Sequence, residues 1–365
     1  MTDRPRPPGK PRTPPPRRAA DHGSSPPNIR DVARHAGVSH MTVSRVINEH
    51  PAVKEATRSR VQHAISELGF RPNRAARALA ASADPSVTVL TSNTTLYGRA
   101  ALLQGIEEAA RAVGMTVGIA VIASARPADI QAAIDRTCAP TAGGVIVIAY
   151  DLAGVRALRA VPAGIPVAAA VEATNTHDTR RFPTVMFDDR AAAQTATAYL
   201  LGLGHRTVHH LAVPSSTSIG ARLRGWRAAL QAAGAVVPEV VEAGWSAESG
   251  SRAARALAED PQVTAVLCGN DDLALGTLHA MRAAGRSVPE QVSVIGFDDV
   301  PQAAYYSPAL TTVRLDFVGL GRDCLTLLRH TLDPTTSVTL VAAPPELIVR
   351  GSTAAPPSGT PRRRR

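Results

Sequence analysis

Residues 29–50, IRDVARHAGVSHMTVSRVINEH, restrict the fold more than any other stretch of this chain. Ile29, Val32, Ala33 and Ala36 recur at the spacing of one apolar helical face. Gly37 then supplies the left-handed residue that ends a helix, and Val38 turns back inward. Ser39 is placed to cap a second helix whose apolar positions are Val43, Val46 and Ile47. Two short helices so tightly joined form a helix-turn-helix, whose second helix lies in the DNA major groove. An ordinary helical hairpin has the same two-helix pattern, so the pattern alone leaves both readings open. On the DNA reading His40, Met41 and Arg45 face base edges, and Ser39, Thr42, Ser44 and Asn48 lie nearer phosphates. For Thr42 and Ser44, capping or packing is the alternative. Arg45 is the candidate for a bidentate guanine contact, a discrimination of about 1–3 kcal/mol.

The following segments weigh against the plain hairpin. Val61, Ala64, Ile65 and Leu68 make 54–68 a third amphipathic helix ended by Gly69, enough for a small three-sided core. RPNRAARALAAS (71–82) is a proline-started basic segment of about two turns, marginal in water without a partner. AxxAGVSxxTVSRVxN followed by RPNRxARxL resembles the DNA-binding headpiece and hinge of the lactose repressor family of bacterial transcription regulators. The resemblance continues in one order through LGHR (203–206), RLRGW (222–226), GNDDLALG (269–276), VSVIGFDD (292–299), LTTVRLDF (310–317) and ELIVRGST (346–353), and so spans 29–353. It implies a headpiece over 28–70 and a hinge helix and linker over 71–84. There Asn73, Arg74 and Arg77 would face DNA and Leu79 would wedge into the minor groove, with 73–80 folding only on the operator. Lys54 stands where the family usually has the serine that caps the third helix. It gives up a cap worth about 1 kcal/mol and is placed to reach a phosphate.

Charge divides the chain in the same way. Residues 1–27 carry six basic and two acidic groups, 28–82 nine and four, and the last ten four and none, so the body between is slightly acidic although the net charge is +10. A basic head on such a body suits a DNA reader with a separate sensor. The Pro/Arg-rich segment 1–27 and the basic segment 354–365 are expected to be disordered tails. Cys138, Cys268 and Cys324 are scattered and show no metal spacing, which suits small buried hydrophobes in a reducing cytoplasm. No apolar run reaches membrane-spanning length, and the Pro/Arg-rich N-terminal segment is not expected to be a secretory signal.

From 86 onward short apolar runs alternate with amphipathic helical stretches: VTVL (87–90), MTVGIAVIA (115–123), GVIVIA (144–149), PVAAAV (166–171), TVMF (184–187), VHHLAV (208–213), TAVLCG (264–269) and VSVIGF (292–297). This α/β pattern predicts parallel sheets covered on both faces. The family resemblance implies two lobes over 85–353, similar to periplasmic sugar-binding proteins, with 85–185 plus a return near 315–338 in the first and 186–314 plus the last strand in the second.

Ligands of open α/β sheets bind beyond the carboxyl ends of strands. Ser92, Asn93, Asn270 and Asp298 sit at such ends, where a bland helix cap is the competing reading; Asp271 is expected to be only a cap. The resemblance implies that Arg222 clamps effector oxygens and that Asn270 and Asp298 bond hydroxyls. It also places Trp245 under a pyranose ring and Leu96, Leu102 and Phe317 in the apolar wall. Trp226 reads as core. Two departures stand out: Val171 replaces the usual cleft aspartate, with Glu172 one residue later, and Leu315 fills a position often polar. The family reading implies a repressor of sugar or glycoside genes, acting as a homodimer on near-palindromic operator DNA and released by a sugar inducer. It involves no enzyme activity, cofactor or metal. The alternatives are a purine-type corepressor on the same fold or, further off, a solute-binding protein.

Overall fold

The computed structural model describes residues 28–47, 53–69, 86–138, 143–172, 181–216 and 220–357, and the chain divides into two compact units between Ser82 and Ala83. In the first unit Asn28 opens α1 (Ile29–Ala36) with a reciprocal capping box: its Oδ1 accepts from the Arg30 and Asp31 N–H groups, and Asp31 accepts from the Asn28 N–H. Gly37 adopts φ 63° and ends the helix in the left-handed region. The Ser39 hydroxyl accepts from the Thr42 N–H at 3.1 Å and starts α2 (His40–Ile47). α3 (Glu55–Glu67) begins after Lys54 with no side-chain cap, as the missing serine predicts. Val32, Val43 and Val61 are wholly buried and close a core with Ala33, Ala36, Val46 and Ala64.

The second unit has two parallel sheets. Its first lobe runs β1 (Ser86–Thr91), α4 (Tyr97–Ala112), β2 (Thr116–Val121), α5 (Pro127–Thr137), β3 (Val145–Ala149), α6 (Leu152–Ala160), β4 (Val167–Val171) and β5 (Thr184–Val185), with sheet order β2-β1-β3-β4-β5. The second lobe runs α7 (Asp189–Gly202), β6 (His209–Ala212), α8 (Ala221–Ala232), β7 (Val241–Glu242), α9 (Ala247–Ala253), α10 (Arg255–Glu259), β8 (Ala265–Cys268), α11 (Asp271–Ala283), β9 (Ser293–Asp298) and β10 (Thr311–Arg314). α12 (Phe317–Leu332) then returns to the first lobe against α4, and β11 (Glu346–Ile348) adds the antiparallel edge of a β11-β10-β9-β8-β6-β7 sheet. β3 and β4 are buried at every residue. The expectation of sheets covered on both faces fails at the edge strand β2, where Ile119 is 53% and Val121 46% exposed.

Within each lobe, helices meet backbone to backbone at glycine. A Cβ on Gly105 would lie 2.0 Å from the Val318 carbonyl oxygen, and one on Gly321 2.2 Å from that of Leu102, so α4 and α12 tolerate no side chain where they cross. Gly225 of α8 meets the Arg190 carbonyl of α7 at 2.1 Å in the same sense. The C-terminal tail begins later than 354: the Ala354 N–H donates to the Ser293 hydroxyl, and its carbonyl lies 3.0 Å from His205 Nε2. Residues 1–27, 71–84 and 358–365, and with them Asn48, Asn73, Arg74, Arg77 and Leu79, lie outside the described residues.

Candidate nucleic-acid interface and effector cavity

On α2, His40, Met41 and Arg45 are exposed, Met41 by 58%. Val43 and Val46 face the core, so the helix presents its polar side outward. Ser39 and Thr42 hydroxyls bond each other at 2.9 Å, which makes them part of the cap of α2 as well as surface groups. Ser44 is half-buried and Lys54 exposed.

In the second unit a cavity of about 350 Å³ opens between the carboxyl ends of the two sheets. Arg222, the second residue of α8, stands at its centre. One guanidinium nitrogen donates to the Gly269 carbonyl. Another lies 3.6 Å from both Asp189 Oδ1 and Asp298 Oδ1, and the group covers the Phe297 ring at 4.2 Å. Burial raises both carboxyl pKa values, that of Asp298 well above the usual range, and Arg222 only partly opposes the rise. Burial likewise disfavours the charge on Arg222, but the two carboxylates more than offset it. At 3.6 Å neither contact is a hydrogen bond. The buried Asp189 Oδ1 and Tyr150 hydroxyl have no hydrogen-bond partner among the described residues. His210, also in the wall, is pushed down to about 4 by burial and is therefore neutral at pH 7.

Local sequence explains these placements. Asp188 caps α7 by accepting from the Ala191 N–H, which frees its neighbour Asp189 for the cavity. Asp298 ends β9 at φ 108° and Asp299 follows at φ 53°. Such left-handed non-glycine residues cost about 1–3 kcal/mol each. Ion pairs from Asp299 to Arg314 at 2.8 Å and Arg350 at 2.7 Å hold the turn.

The cavity gathers Leu96, Arg222, Trp245, Asn270, Asp298 and Phe317 from the sequence reading. Three other candidates go elsewhere. Leu102 is wholly buried in the first-lobe core, because its helical face points at the sheet. Ser92 donates its hydroxyl to Asp151, the cap of α6, and Asn93 Oδ1 accepts from the Thr95 and Leu96 N–H groups of its own loop, so both are engaged within the first lobe. Leu315 is also core. Asn270 is the cap of α11, accepting from the Leu273 N–H at 2.8 Å, and its amide donates to the Trp245 carbonyl. Asp271 is therefore not the cap. Wholly buried, it accepts from the Val300 N–H and the Thr312 hydroxyl. Trp226 is core as expected, with its indole N–H donating to the Val208 carbonyl.

Sequence reasoning missed Arg99, Tyr150, Asp189 and Asp272. The doublets Asp188-Asp189 and Asp271-Asp272 were the available signal, since one helix start needs only one cap. Arg99 gave none: it sits in an alanine-rich helix yet pairs with Asp151 at 2.6 Å and lies 5.5 Å from the Trp245 ring centroid across the cleft. Glu172 joins the lobes. Its carboxylate accepts from both the N–H and the hydroxyl of Ser216, from the Ser215 hydroxyl and from the Ala221 N–H at the start of α8.

The model for bacterial regulatory proteins of the lacI family matches residues 28–73, and that for a periplasmic binding protein-like domain matches 197–353. The lactose operon repressor of Escherichia coli is 32% identical over 299 residues, covering 81% of this chain and 82% of that protein. The chain belongs to the lacI family. The HTH-type transcriptional repressor PurR of Klebsiella pneumoniae is 30% identical, covering 82% of this chain and 89% of its own. The crystal structure of the lac repressor dimer bound to operator and the anti-inducer ONPF superposes with a TM-score of 0.80 at 29% identity, covering 91% of this chain and all of that one. As a lacI-family member the protein is a DNA-binding transcription repressor and not an enzyme. Among the described residues no helix is long and apolar enough to cross a membrane, and no cluster of His, Cys, Asp and Glu could hold a metal ion.

Proposed function

We propose that this repressor controls sugar or glycoside genes and leaves its operator when a sugar occupies the cavity between the lobes. The observation that carries the reading is the arrangement around Arg222: a guanidinium between two carboxylates, beside a buried Tyr150 hydroxyl, opposite the apolar side chains of Leu96, Phe187 and Phe317. Sugar hydroxyls both donate and accept, and so suit acids and a guanidinium together, while a C–H ring face suits the Trp245 indole. Asp298 and Arg222 hold hydroxyls, and Asn270 acts through its hold on the Trp245 loop. By linkage, a sugar that favours the DNA-incompetent lobe arrangement weakens operator binding by the factor by which operator weakens sugar binding.

On DNA, His40, Met41 and Arg45 read bases, Ser44, Asn48 and Lys54 approach phosphates, and Ser39 and Thr42 set the helix entry. Residues 73–80 fold on the operator with Leu79 as the wedge. The repressor acts as a homodimer on a near-palindrome, since one headpiece reads half a site. The exposed apolar edge of β2 and the 38% exposed Leu275 are surfaces a second copy would cover. Operator binding titrated against a panel of sugars, glycosides and purines tests the reading. Release by a sugar is expected, whereas tightening by a purine with no response to any sugar would leave a repressor with a different effector.

A further inference from the structure

Resting on that sugar reading, we infer that the effector carries a protonated amine, as an amino sugar does, and that Asp189, Asp272 and Asp298 receive it. Among the described residues the cavity wall has five carboxylates, Glu172, Asp189, Glu242, Asp272 and Asp298, against two guanidiniums, Arg99 and Arg222. These charges are not equivalent. Glu172 is fully engaged by Ser215, Ser216 and the start of α8, and Glu242 is exposed at the rim. Arg99 is already matched by Asp151 at 2.6 Å. Among the described lining residues Arg222 is thus the cation left for three acids, and it meets two of them only at 3.6 Å.

The remaining geometry asks for a donor-rich cation. Asp189 Oδ1 is buried without a hydrogen-bond partner, although Asp189 occupies the first turn of α7, where the helix dipole favours the ionised form. Asp272 occupies the same kind of position on α11. Burial raises the pKa of all three acids, and only for Asp189 and Asp298 does Arg222 oppose the rise, so a second cation would favour their ionised forms. The acids do not converge as metal ligands among the described residues, so a bare divalent ion does not suit them. An ammonium does: it brings three N–H donors and one positive charge. A neutral polyol can bond the same oxygens but does not favour their ionised form, as a cation would.

Calorimetry on the full chain, with operator release as the second readout, tests this. The probes are glucosamine, galactosamine and mannosamine, their neutral parents, their N-acetyl derivatives, and spermidine as a cation that is not a sugar. One amino sugar is expected to bind at least about tenfold tighter than its parent and its N-acetyl form. Asp189→Asn and, separately, Asp272→Asn should each bring that ratio towards one. Neutral sugars binding as well as amino sugars would overturn the inference and leave the sugar reading standing. Spermidine binding without any sugar would uphold the cationic effector and overturn the sugar. Binding of none of these probes would overturn the inference, and binding of no glycoside either would overturn the sugar reading as well.

Discussion

The two walls of the cavity are built on opposite plans. The second-lobe wall supplies Asp189, Arg222, Trp245, Asn270, Asp272 and Asp298, charged or polar groups held at helix starts and strand ends with part of their bonding capacity unspent. The first-lobe wall supplies Leu96, Tyr97, Gly98 and Phe317; the nearby Ser92, Asn93 and Asp151 are engaged within that lobe, and the Tyr150 hydroxyl and Arg99 Nε are its polar atoms left without a hydrogen-bond partner among the described residues. A wall with unspent polar groups recognises. A wall that is mostly apolar mainly covers, contributing shape and exclusion of water, with the Tyr150 hydroxyl as its free polar contact. Selectivity should therefore follow substitutions on one side, and the tightness of closure those on the other.

The strongest test of the contrast is Arg222→Ala. It leaves Asp189 and Asp298 facing each other without a cation, and urea unfolding should show a loss of about 3–5 kcal/mol together with loss of effector binding. Stability equal to the parent would mean that the second-lobe wall is not electrostatically strained. Leu102→Ala, in the first lobe, should cost about 2–5 kcal/mol through the cavity it leaves while keeping the ranking of effectors unchanged. A changed ranking would return Leu102 to the recognition set. Asn270→Ala removes the cap of α11 and the tether to Trp245. Thermal unfolding should report about 1–2 kcal/mol, and the fluorescence of the loosened Trp245 should shift to the red.

The smallest effect is in pH. His205, His209 and His210 are all lowered by burial, so on acidification the unfolded chain takes up protons first, and stability is lost as pH falls from about 6.5 towards about 4. Asp189, Asp271 (raised to about 7) and Asp298 act in the opposite direction, their contribution being present at low pH and lost as pH rises through their folded values. His210→Gln should relieve the acid-side loss by about 1 kcal/mol between pH 6.5 and 5.5, measured by chemical unfolding at each pH. An unchanged pH profile would mean that His210 is protonated in the fold.

The headpiece was legible because its signals are local: Gly37 ends a helix, and Val32, Val43 and Val61 mark three faces that can only meet each other. The alternation of strands and helices was legible for the same reason. The two-residue strand β7 (Val241–Glu242) was not, since so short a run shows no period. In the cavity, Arg222 and Asp298 were readable through their motifs. Asn93 was misplaced because chain position does not reveal that its oxygen is used by its own loop three residues on, Ser92 because its partner Asp151 lies 59 residues away, and Leu102 because its helical face turns into the core. Arg99 depends on contacts with Asp151, 52 residues away, and with Trp245 across the cleft, where no local pattern points.

The glycine crossings have a mechanical consequence. With Gly105 and Gly321 locking α4 to α12, and Gly225 locking α8 to α7, main chain bears on main chain inside each lobe and there is no soft side chain to absorb a displacement. The helix crossings are therefore rigid contacts, whereas at the seam Glu172 reaches Ser215, Ser216 and Ala221 through hydrogen bonds that a side-chain rotation could remake. A ligand pulling on one wall cannot dissipate its work by deforming that lobe; the displacement is delivered to the seam as relative motion of two solid parts.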